Sequence, residues 1–104
     1  MSVVNVVLKE LGIDQKEALW EIALLHASQK LAEFQEECEA FEKKYEMTFS
    51  DFERKIRTSE QEVFELDEDY NAWKFAHEGM NYWKEKVEQL QKQNPFSADY
   101  SFNS

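Results

Sequence analysis

Eight side chains, Trp20, Leu24, Ala27, Leu31, Phe34, Cys38, Phe41 and Tyr45, recur at alternating spacings of four and three. A 3-4 repeat sets every member on one stripe of an α-helix. Unbroken over 26 residues, that stripe faces a partner helix along its whole length. Nothing interrupts the pattern, because the chain has only two glycines and one proline in 104 residues. Sandwiches, barrels and phosphate-cradling loops need far more turn chemistry, so those folds are disfavoured. Strong helix formers number 55 of 104. The expectation is a single all-α domain built as a long helical hairpin, a coiled-coil-like bundle.

The boundaries follow from local signals. Asp14-Gln15-Lys16-Glu17 reads as a capping box opening a helix that runs to about Tyr45, roughly 45 Å at 1.5 Å per residue. Ahead of it, Val3–Leu11 carries four valines that suit a strand. Gly12 after Leu11, with Lys9 in the last turn, instead makes a helix stop, and we read a short helix. Thr48 caps a third helix over about 48–57, with Asp51 three residues on and Phe49, Phe52 and Ile56 along one side. The acidic run from Thr58 to Asp69 reads as a solvated connector. A last helix, 70–93 and capped near Asp69, carries a second seam: Trp73, Ala76, Met80, Trp83, Val87 and Leu90. Asn94-Pro95 ends it. Residues 1–93 thus form the helical domain and 94–104 a flexible tail.

The first half of the long helix is apolar on more than one face, and its seam outruns the last helix. We therefore expect a homodimer, with Trp20, Leu24, Ala27, Leu31 and Phe34 as its seam.

Charge bears on partners. The net charge of −10 repels nucleic acid phosphates and anionic lipid, which makes direct nucleic-acid binding unlikely and favours a basic protein partner. No apolar run spans a bilayer and no basic n-region marks a signal peptide. The single Cys38 makes no internal disulfide, so the cytoplasm is the expected compartment.

Catalytic and metal-binding patterns do not assemble. A di-iron bundle needs Glu-x-x-His pairs, but Ala23 and Lys74 stand three before His26 and His77. Asp67-Glu68-Asp69 lacks the glycine turn and late glutamate of a calcium loop, and is explained as a helix N-terminal charge cluster. Cys38 falls on the seam as a small hydrophobe, and His26 and His77 flank the seams. Neither Arg54 nor Arg57 is followed closely by histidine, as in one class of helical nucleases. We expect no enzyme, no cofactor and no metal.

Fifteen residues are aromatic, and Phe96, Tyr100 and Phe102 have no periodic home. Aromatics on a tail suit docking into a partner's groove.

The stretch Phe41-Glu42-Lys43-Lys44-Tyr45-Glu46-Met47-Thr48-Phe49-Ser50-Asp51-Phe52-Glu53 resembles a phrase found in small helical antitoxins of prokaryotic toxin–antitoxin pairs. There a long helix ends in an aromatic corner of the form F-E-x-K-Y-G-M-S-F-x-x-F. An acidic connector follows, then a helix opening with aspartates and an early tryptophan, here Asp67-Glu68-Asp69-Tyr70-Asn71-Ala72-Trp73. The likeness covers about residues 28–90. One departure is Glu46 where glycine is usual, a residue poorly suited to a left-handed helix stop. The resemblance implies a non-enzymatic protein that neutralises a toxin, often a nuclease, encoded beside it. No familiar DNA-binding domain accompanies it. On this reading the toxin-binding residues are Tyr45, Phe49, Phe52, Glu62, Glu65, Asp67, Asp69, Trp73, Phe96, Tyr100 and Phe102. The alternative is an acidic coiled-coil structural or adaptor protein, such as a phage or accessory dimer, whose charge serves only solubility.

Overall fold

A computed structural model describes residues 2–58 and 64–94, with the side chains of residues 64 and 65 left out. Four helices follow in order, α1 (Val3–Glu10), α2 (Gln15–Tyr45), α3 (Phe49–Thr58) and α4 (Phe64–Lys92), and no strand occurs among the described residues. The all-α expectation holds. The molecule is a rod of 63 × 37 × 18 Å, set by the length of α2 and α4.

The two seams pack against each other, antiparallel. At one end the indole Nε1 of Trp20, near the start of α2, donates to the Leu90 carbonyl at 2.7 Å, near the end of α4. That carbonyl lies in the last turn of α4, where it also accepts from the Gln93 N–H at 3.2 Å, so the indole adds a second donor at the helix end. At the other end Lys44 reaches Asp69 at 2.7 Å. Every seam position of α2 and α4 is buried or half-buried. α3 folds back at the turn and buries Phe49 and Phe52 against α4.

Local signals hold at two boundaries. Gly12 adopts φ 71°, its N–H donates to Lys9 at 3.1 Å, and the Ile13 N–H donates to Leu8 at 2.8 Å. This Schellman closure ends α1 as a helix, and the strand reading of the valines falls. At α3 the Asp51 N–H donates to the Thr48 hydroxyl at 3.2 Å, the expected cap. α1 is itself capped by Ser2, whose Oγ accepts from the Asn5 N–H at 3.2 Å.

Three expectations are corrected. Asp14 stands at the N-cap of α2 but its carboxylate makes no capping hydrogen bond, so the capping box does not form. Glu46 does adopt the left-handed conformation, at φ 53° and ψ 41°, and the corner turns as it would with glycine. α4 begins at Phe64, so residues 64–69 are helix and not connector, and Asp69 is not its cap. The rest of the connector, 59–63, and the tail from 95 lie outside the described residues.

Candidate partner interface

The sequence-expected contact residues divide by burial. Phe49, Phe52 and Trp73 are core, at 9%, 1% and 0% exposure. Trp73 is the hub. Phe41 and Tyr45 stack on it at 5.6 and 6.1 Å between ring centroids, Phe52 lies tilted at 5.1 Å and Phe49 meets it edge-on at 5.5 Å. Tyr70 and His77 stack on Phe49. These rings are spent on one another, so Phe49, Phe52 and Trp73 offer no surface to a partner. The Trp73 indole N–H has no hydrogen-bond partner among the described residues.

Tyr45 is half-buried, and its hydroxyl donates to the Asp69 carboxylate, which also accepts from Lys44. Hydrogen bonds from Lys44 and then Tyr45 hold the Asp69 carboxyl below the usual carboxylate range. Asp69 therefore ties α2 to α4 and is not free for an incoming cation. Tyr70 braces the same corner through Glu53, at 2.8 Å. Asp67 is exposed on α4. Glu65 falls within α4, whereas Glu62, Phe96, Tyr100 and Phe102 lie outside the described residues.

The expected dimer seam is occupied within the chain. Ala27 is buried and Trp20, Leu24, Leu31 and Phe34 are half-buried on the stripe facing α4. Phe34 lies across Gly79, where an added Cβ would sit 2.7–2.9 Å from its ring. α2 is longer than α4 by only two residues once α4 starts at Phe64, so one chain supplies both halves of the seam.

Sequence reasoning missed what the surface does present. Phe75 and Tyr82 are 66% and 52% exposed on α4, seven residues apart and so on one side of the helix. Phe75 is steadied edge-on by Phe34 at 5.7 Å; Tyr82 is braced by Trp83 at 5.1 Å, with the Lys86 ammonium over its ring. Tyr82 also borders an open groove of about 410 Å³ between the helices, lined by Ala23, His26, Ala27, Trp83, Lys86 and Leu90. Glu78 and Glu85 are exposed on the same helix. The signal was present: both rings sit off the seam, seven apart.

Reactive groups are few. Burial, then Glu42, Glu37 and Glu39, push the Cys38 thiol up, which leaves it protonated at neutral pH. Arg54 and Arg57 pair with Asp51 and Glu53 along α3. Among the described residues no three His, Cys, Asp or Glu side chains converge as a metal site, and no helix is long and apolar enough to cross a membrane. Compared with known family models, curated proteins and solved structures, the chain matches none.

Proposed function

We propose that the chain is a protein-binding antitoxin that masks a basic toxin encoded beside it, acting by occlusion and not by catalysis. The observation that carries the reading is the pair Phe75 and Tyr82, two large exposed aromatics on a rigid helix of a protein with net charge −10. Large aromatics buried at the centre of an interface supply most of its energy. The net negative charge of the whole chain speeds encounter with a basic surface, such as a groove that holds RNA phosphates. Asp67, exposed on the same helix, adds to that field.

The test is expression of the adjacent open reading frame, alone and with this chain. A toxic neighbour rescued by the wild-type chain supports the reading, and a harmless neighbour overturns it. The double variant Phe75→Ser/Tyr82→Ser should lose rescue while keeping its helical circular dichroism. A chain truncated after Asn94 should still rescue if α4 is the anchor, and fail if the tail aromatics are.

A further inference from the structure

The second apolar surface lies at the other end of the rod. α1 buries none of its residues. Val3, Val4 and Val7 on α1 and Leu11 at its C-cap, with Leu19, Ile22 and Leu25 on α2, are between 45% and 77% exposed. α1 rests on the side of α2 away from α4, where Leu8 and Ile13 with Ala18, Ile22 and Leu25 line a cleft of about 280 Å³. Together these seven residues expose on the order of 700 Å² at this end of the rod, close to one partner's share of a standard interface.

We propose that this α1–α2 face is the interface of a two-fold homodimer. The area fits a second copy, and so does the charge. Residues 2–26 hold two lysines and four carboxylates, only −2 of the chain's −10. Two copies meeting here keep their acidic bodies apart, beyond a screening length of about 8 Å at physiological salt. The same stretch carries both signs, Lys9 and Lys16 with Glu10, Asp14, Glu17 and Glu21, which allows a self-complementary two-fold contact. Acidic on balance, it opposes an anionic membrane. The assignment is independent of the toxin reading, and it moves the dimer contact from the α2 seam to the opposite side of that helix.

Analytical ultracentrifugation of the full chain tests it. At about 10 μM, above the dissociation constants typical of standard-size interfaces, wild type should sediment at twice its 12.4 kDa mass. Ile22→Glu/Leu25→Glu should sediment as monomer with unchanged helical circular dichroism, as should Val4→Lys/Val7→Lys, because all four positions are exposed in the single chain. Phe75→Ser should remain a dimer. A monomeric wild type overturns the proposal, including one that floats with phosphatidylcholine–phosphatidylserine vesicles. So does a dimer that survives both double variants, or a mass that keeps growing with concentration, which marks an open contact in place of a closed one.

Discussion

The two ends of the helical hairpin are both rich in large apolar side chains, and they dispose of them in opposite ways. At the corner of α2, α3 and α4, three elements converge, and Phe41, Tyr45, Phe49, Phe52 and Trp73 enclose one another until Trp73 has no exposed surface. At the α1 end only one short helix covers the side of α2 turned away from α4, and Val3, Val4, Leu11, Leu19, Ile22 and Leu25 remain more than half exposed. The difference is one of coverage. A helix of eight residues hides too little of a neighbour, whereas a third helix plus a full turn of α4 closes a core around a single indole. The corner therefore holds the closed core, and the open end keeps the exposed apolar side chains on which the dimer is proposed.

Truncation should expose that contrast most sharply. Trp73→Ala should cost about 3–5 kcal/mol in urea denaturation, since it empties the centre of five packed rings. Leu19→Ala, at 60% exposure, should cost well under about 1 kcal/mol in the single chain. Trp73→Phe should lose less than half as much as the alanine change, because it also removes a buried N–H that lacks a partner. Equal losses at Trp73 and Leu19 would erase the distinction between the ends.

The electrostatic tie at the corner is next in size. Asp69→Ala should destabilise by about 1.5 kcal/mol, a charge-assisted hydrogen-bond value reduced for the exposure of Lys44. Because the folded carboxyl titrates below its ordinary value, its contribution is complete above about pH 4 and is lost as pH falls through the folded pKa. Wild type should thus lose more stability than Asp69→Ala between pH 5 and pH 2, as read by thermal unfolding at each pH. Parallel losses would show that the tie contributes nothing.

Midway along the rod, Gly79→Ala should destabilise by about 1 kcal/mol. The gain in helix propensity, about 1 kcal/mol, is outweighed by pushing the Phe34 ring off its seat. Added stability would mean that the ring moves freely. The smallest effect is at the corner's left-handed residue: Glu46→Gly should stabilise by about 0.5 kcal/mol, relieving the Cβ strain at φ 53° less the entropy glycine adds to the unfolded chain.

Much of the fold was legible in the residues, because helix periodicity, caps and stops are local. The 3-4 spacing of Trp20 to Tyr45 and of Trp73 to Leu90 determines two helices and the stripe each one buries. Gly12 and Thr48 determine where α1 ends and where α3 begins. The hairpin expectation already pairs the two stripes; tertiary structure alone decided how completely one chain covers them. An acidic run reads as connector, yet α4 starts at Phe64; the added turns let Asp69 accept from Lys44 and Tyr45, and let one chain supply both halves of the seam. The aromatic corner read as a contact surface, yet its rings fill a core, because burial depends on how many elements converge. Phe75 and Tyr82 stay outside for the same reason: spacing tells which side of a helix a residue occupies, but only packing decides which sides are covered.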